Sequence, residues 1–571
     1  MPALKSTARV EAPARAEAAR VQAGLVVTSE DGVPLATDVY RPRAAPRPVV
    51  ILRTYLGKAQ HRAEALGWVE HGFGCIVQDV RGRYDSGGTW RPYAHERRDG
   101  CTTVEWVSRQ PWCDGRVVLT GGSYGAFTAW AAAVSGHPAI RAVIASVPAM
   151  RPVDFSPGPD GGVLPLLGHV SWWLTHGDAR CARDGLAAAM LEAEPDLLRH
   201  LPVADLPTQL WAPLPGWLSA ATADPTAPPL FGDAELAALA VPSLHVGGWH
   251  DPYCGETLHQ WATVGKAHEP RPPRGLVIGP WTHQPRGHLP SRYGERDYGS
   301  ASRFPLGRFQ AAWLHHVLDG EVTPDDLPRA EASHVFVTGE NCWSVVDQHP
   351  TRDRHLWYVT SATGLSPTSL SATGLSAKGL SSESAGVSGQ CSFPYDPGDP
   401  YPARRTPIDE TDLAGRTDVA RFTTTPLEAP CRWLGEARVI LWASTDAPST
   451  DWVARVLEVL PDGRSLYITH GLVDAVRALA RRGEALRPDR PYRFEIPLSP
   501  MAITIPTGHR LRLEITSSAF PSYARNLASG EDRLFGRSLR SAVQTIYWSP
   551  LMPTRLILPG SLDVLDMEVA T

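Results

Sequence analysis

Gly115-Arg116-Val117-Val118-Leu119-Thr120-Gly121-Gly122-Ser123-Tyr124-Gly125-Ala126-Phe127-Thr128 is the stretch on which the fold turns. Val117 to Leu119 reads as a buried strand, the glycines and serine as a tight turn, and Ala126 to Val134 as a helix that leaves the turn at once. Glycine at 121 and 125 suits a strained elbow, where the backbone passes close to the neighbouring strand and helix. Such an elbow lifts the hydroxyl of Ser123 above a sheet edge. A plain glycine-rich β–α turn has the same spelling, so partners for the serine must be sought.

Outward from the elbow, apolar runs alternate with helical patterns. Leu25–Thr28, Pro34–Tyr40, Val49–Leu52, Cys75–Gln78 and Ala142–Ser146 read as strands, and about 60–71 and 102–109 as helices. Strands alternating with helices predict an α/β fold, a mostly parallel sheet covered on both faces. Between 150 and 239 the pattern changes to Pro/Gly-rich loops with Trp, Leu and Ala stretches, which predicts a helical cap insertion. Strand signals return at Pro242–Val246 and Gly275–Ile278, followed by a helix over about 306–318.

From 329 to 571 short alternating segments such as Ala437–Trp442 and His509–Ile515 predict an all-β sandwich, with a low-complexity surface loop at 361–390. The expected domains are therefore a lead-in at 1–23, a catalytic domain from 24–149 and 240–328, the cap at 150–239, and the β domain at 329–571. A chain of 571 residues is too long for one ordinary core, which agrees with that division.

A neutral serine is a weak nucleophile. It needs a histidine base and a carboxylate that fixes the base's tautomer, in the order Ser, acid, His for an elbow of this kind. His283 follows the strand Leu276–Ile278 and is the chosen base, with His288 as the alternative. Asp251 follows the strand Leu244–Val246 and is the chosen acid, although a helix N-cap would account for it too. Asp79 and Asp85 precede Ser123 and break the order; Asp79 and Arg81 are read as fixing backbone or each other.

Gly121-Gly122-Ser123-Tyr124-Gly125, Gly248-Trp249-His250-Asp251, Gly279-Pro280-Trp281-Thr282-His283, Val77-Gln78-Asp79-Val80-Arg81-Gly82 and Trp112-Cys113-Asp114-Gly115 together resemble the cocaine esterase family, within the X-prolyl dipeptidyl-peptidase (S15) class. The likeness extends to Ser444–Trp452 and Gly508–Leu513. It implies an α/β-hydrolase core, a helical cap and a C-terminal jelly roll. It also implies an oxyanion hole made by the Tyr55 hydroxyl and the backbone N–H of Tyr124, whereas packing beneath the loop is the alternative for Tyr55.

Two departures from the family pattern bear on specificity. His250 stands where the family carries Tyr or a similar residue; it is read as structural, with competition for the Asp251 carboxylate as the alternative. Leu166-Leu167-Gly168-His169 stands where the esterase relative has a pocket tryptophan, which separates this chain from an aromatic acyl preference. Gln284 to Pro290 lacks the carboxylate cluster of α-amino-acid ester hydrolases, so an aminoacyl substrate is disfavoured. His169, Trp172, Trp249 and Tyr253 are the expected pocket residues, with plain core packing as the alternative for the aromatics.

The expected activity is that of a serine hydrolase cleaving a small-molecule ester or amide through an acyl-enzyme, with no metal and no organic cofactor. The alternatives are acyl transfer by the same triad, X-Pro amide cleavage, and a non-catalytic binding protein. A formal net charge of −5 gives no footprint for nucleic acid. The N-terminal stretch has no apolar run of the signal-peptide or membrane-span kind, so a cytoplasmic location and no membrane partner are expected. Eight dispersed cysteines with no C-x-x-C pair predict reduced, packed thiols. A homodimer is compatible with all of this.

Overall fold

Near-continuous burial of the central strands explains the first domain. In the computed structural model, residues 19–43, 46–150, 162–209, 216–217, 231–285, 289–346, 354–363, 365–370, 388–404 and 406–560 are described. Strands β1 (Arg20–Thr28), β2 (Pro34–Arg41), β3 (Arg47–Thr54), β4 (Gly74–Asp79), β5 (Cys113–Gly122), β6 (Ile140–Ser146), β7 (Ser243–Gly248) and β8 (Arg274–Gly279) form one sheet. Their order is β1-β2-β4-β3-β5-β6-β7-β8, with β1 and β2 antiparallel and every neighbour from β4 to β8 parallel. Val49, Ile51, Val117, Leu119 and Val143 turn to one face, where helices α2 (Glu96–Ser108) and α3 (Tyr124–Ala133) cover them. Val50, Leu52, Val118, Ile144 and Val246 turn to the other, under α1 (Arg62–Glu70) and the helix Leu306–Asp319. Burial on both faces is why these strands read as unbroken apolar runs.

The sheet does not stop where the sequence boundary at 328/329 would end it. After a small hairpin, β9 (Arg292–Tyr293) and β10 (Arg296–Asp297), strand β11 (Ser333–Val337) pairs parallel with β8, and β12 (Cys342–Val346) pairs antiparallel with β11. Both complete the first sheet, which therefore continues across the expected boundary. The expected low-complexity loop at 361–390 also changes: β13 (Arg354–Val359) pairs antiparallel with β14 (Leu365–Leu370) inside it, and 371–387 lie outside the described residues.

Between β6 and β7 the described residues are helices and turns, with Leu166–His176 and Leu186–Ala193 the longest. Leu166, Val170, Trp173, Leu198 and Trp217 make a small core there, closed by Phe520 and Ala524 from the far end of the chain. The remaining strands form antiparallel sheets whose inner side chains, among them Phe422, Trp452, Leu513, Phe494 and Ile546, share one core. That core also takes in Trp249, Trp261, Ile278 and Val335 of the first domain.

Candidate active site

Ser123 sits just past the end of β5 with φ 58° and ψ −124°, a positive-φ conformation that a non-glycine residue holds only under constraint. The constraint is visible around it. Its N–H donates to Ser146 O on β6 at 2.9 Å, and its carbonyl accepts from Ala126 N at 3.0 Å as α3 begins. A Cβ at Gly121 would lie 2.3 Å from the Gly125 carbonyl, so only glycine lets the turn close this tightly.

Asp251 and His283 sit past the ends of β7 and β8. A Cβ at Gly248 would come within 2.2 Å of Trp281 O, so the loops after β7 and β8 run in contact. Trp249 N donates to Gly279 O and His250 N to Trp281 O, each at 2.9 Å, which zips the two loops together. The result is a linear chain of side chains: Ser123 Oγ lies 2.8 Å from His283 Nε2, and His283 Nδ1 lies 2.7 Å from Asp251 Oδ1. Asp251 is 3% exposed, whereas the His283 side chain keeps 34% of its surface. With Nδ1 protonated toward the buried carboxylate, Nε2 offers its lone pair to the serine hydroxyl.

Tyr55 follows β3 directly, and its ring lies 5.1 Å from that of Tyr124. Trp90, Trp172 and His176 surround it at 6.0, 6.3 and 4.9 Å. Tyr124 opens α3, so its N–H belongs to the first helical turn, whose donors have no intrahelical acceptor. Its own hydroxyl points away into the core: it donates to Glu96 Oε1 at 2.7 Å and accepts from Tyr93 N at 3.1 Å. Glu96 in turn pairs with Arg53 at 3.0 Å, both residues buried. Burial and the Glu96 charge push the Tyr124 phenol well above its ordinary range.

The expected pocket residues go to different places. Tyr253 lies 5.1 Å, ring to ring, from His283, and Trp172 faces Tyr55 and Trp90. Trp249 is corrected: its indole N–H donates to Phe336 O at 2.6 Å inside the core shared with the β domain. His169 is corrected too, for it is fully buried in the cap core, 4.1 Å from the Trp217 ring. His250 hydrogen-bonds Tyr298 Oη at 2.6 Å and lies against Tyr293, and burial lowers it to about 3, so it is a neutral strut for the hairpin after the base. His288 lies outside the described residues.

Asp79 fixes backbone, as expected, accepting from Lys58 N at 2.7 Å just beyond Tyr55. Arg81 instead pairs with Asp99 and Asp31, at 2.6 and 2.7 Å. Glu96, Arg53 and Arg83 escaped the sequence reading. Arg83 stood one residue past the quoted Asp79–Gly82 motif, and that adjacency was the one signal available.

Residues 31–285 match the family described as X-Pro dipeptidyl-peptidase (S15 family), and 323–557 match the X-Pro dipeptidyl-peptidase C-terminal non-catalytic domain. A cocaine esterase of Rhodococcus sp. (strain MB1 Bresler) is 28% identical, over 94% of this chain and 98% of that one. Among solved structures, an α-amino acid ester hydrolase superposes with TM-score 0.76 at 22% identity, covering 98% of this chain and 99% of that one. An aminopeptidase from the marine sediment archaeon Thaumarchaeota archaeon does so with TM-score 0.69 at 22% identity, over 97% and 98%. At these identities the structural likeness speaks to the fold.

Proposed function

Since the chain belongs to the cocaine esterase-like, X-Pro dipeptidyl-peptidase (S15) class of α/β-hydrolases, we propose that it cleaves carboxylic esters of small molecules through an acyl-enzyme on Ser123. The observation that carries this is the Ser123–His283–Asp251 chain at 2.8 and 2.7 Å, on an elbow whose serine is held at φ 58°.

His283 accepts the Ser123 proton as Oγ attacks the carbonyl carbon. Asp251 stays ionised and stabilises the imidazolium. The Tyr124 N–H and the Tyr55 hydroxyl donate to the developing oxyanion; losing one such donor typically costs on the order of 10²–10³ in rate. His283 then protonates the departing alcohol, and water, deprotonated by the same imidazole, releases the acid. The cap supplies the walls that choose the acyl group, with Trp172 of the cap and Tyr253 of the loop after β7 on the substrate side.

A second reading, cleavage of X-Pro amides, is favoured by the family description matched at 31–285. One experiment separates the two and tests the nucleophile. The full chain is assayed with p-nitrophenyl esters and X-Pro p-nitroanilides, and labelled with a fluorophosphonate probe. Ester turnover well above amide turnover is expected. Ser123→Ala should lose labelling and at least about 10⁴-fold in kcat. Faster amide than ester turnover would install the peptidase reading, and undiminished labelling of Ser123→Ala would remove the serine from the mechanism.

A further inference from the structure

We propose that Arg83 is a positioning residue that clamps the backbone of Tyr55 to the end of the cap helix Leu166–His176, and so fixes where the Tyr55 hydroxyl points. This rests on Tyr55 acting as an oxyanion donor. Arg83 is completely buried. Among the described residues no carboxylate pairs with it, and burial pulls its guanidinium below the usual arginine range. What it has instead of a counter-ion is a set of carbonyls from two segments.

Its Nε donates to Tyr55 O at 2.9 Å, and its Nη1 donates to His176 O at 3.2 Å and to Ala179 O. His176 ends the cap helix, where carbonyls lack intrahelical donors and carry the negative end of the helix dipole. The Trp90 ring, 4.4 Å from the guanidinium carbon, covers the face of the group. A planar fork holds carbonyls on two segments in one fixed geometry, whereas an ammonium offers its three donors from a single rotatable point.

The surrounding contacts hold the same junction. Tyr84, at φ 45°, donates its N–H to Arg180 O at 2.9 Å and accepts from Ala182 N at 3.2 Å through its hydroxyl. Its ring fills the space beside Gly57, where a Cβ would come within 2.9 Å. The His176 ring meets the Tyr55 ring edge-on at 4.9 Å. The oxyanion tyrosine and the cap therefore share one anchor, and a cap displaced by a poorly fitting acyl group would carry the Tyr55 backbone with it.

The test is a double-mutant cycle on the full chain: Arg83→Met, Arg83→Lys, Tyr55→Phe and the combinations, read as acylation burst rate, kcat and KM with p-nitrophenyl acetate. A misplacement of about 1 Å at a reacting group costs on the order of 100-fold. Arg83→Met should thus slow acylation by about 10- to 100-fold with KM little changed, and Arg83→Lys should fall between. In the Tyr55→Phe background Arg83→Met should add little, because the donor it aims is gone.

A full additional loss in that background, or a wild-type burst in Arg83→Met, overturns the proposal. If Tyr55→Phe is slow while Arg83→Met is unimpaired, the oxyanion reading stands and the clamp alone falls. A wild-type rate in Tyr55→Phe removes both. Should Arg83→Met fail to fold by circular dichroism, Arg83→Lys carries the same cycle.

Discussion

Glu96 shows how far from the reacting atoms a proposed oxyanion donor is secured. Its carboxylate receives the Tyr124 hydroxyl at 2.7 Å and meets Arg53 at 3.0 Å, and Arg53 lies two residues before Tyr55 on β3. One buried ion pair thus stands behind both of the proposed oxyanion donors. Tyr124→Phe leaves a buried carboxylate oxygen and the Tyr93 N–H without this partner, at a cost of about 1–3 kcal/mol. Glu96→Gln strands the buried Arg53 charge and should cost more, about 3–5 kcal/mol. Urea unfolding of the two variants should rank them in that order. Both should lower kcat more than they raise KM; a variant that loses stability yet keeps kcat would confine the pair to folding. Ser123, Asp251 and His283 were legible because each follows a recognisable strand in the order the chemistry demands. Glu96 was not, for its partners lie 28 and 43 positions away and belong to no motif.

At the scale of elements, strands were easier to find than to assign. Val335-Phe336-Val337 fell within the stretch assigned to the sandwich; that it joins the parallel sheet instead depends on a pairing with β8 that periodicity does not encode. The elbow is the opposite case, a local geometry that glycine spells out. Gly121→Ala would set a methyl group 2.3 Å from Gly125 backbone, which no rotamer relieves. It should lower kcat/KM by at least about 100-fold, as expected when the nucleophile is misplaced, and lower the melting temperature. Gly67, inside α1, has open space at its Cβ position and no positive φ. There Gly67→Ala should stabilise by about 0.5–1 kcal/mol with activity unchanged. Paired melting curves and ester assays check both, and equal tolerance of the two substitutions would mean that the elbow is not under the steric constraint described.

Across the whole molecule, the sheet and the sandwich share a core through Trp249, Ile278 and Val335, and Arg296 of the hairpin pairs with Glu458 of the β domain at 2.6 Å. The first domain therefore unfolds against the second, and a disturbance within the parallel sheet should register in the stability of the full chain. His245 on β7 is such a point. It is completely buried, stacked on Trp130 at 5.7 Å, its Nε2 is 3.0 Å from Ser243 Oγ, and burial lowers it to about 3. In the unfolded chain an ordinary histidine titrates near 6.5. Between those values the unfolded state binds a proton that the folded state does not, so stability falls as the solution is acidified below about pH 6.5. The contribution of a single such group reaches about 1.4 kcal/mol per pH unit. His245→Met, which cannot take up that proton, should flatten the decline of unfolding free energy between pH 6.5 and 5 by up to this amount while leaving the values above pH 7.5 on a plateau. An unchanged slope in His245→Met would mean that the imidazole is reached by solvent, and that the sheet opens at β7 before the rest of the molecule does.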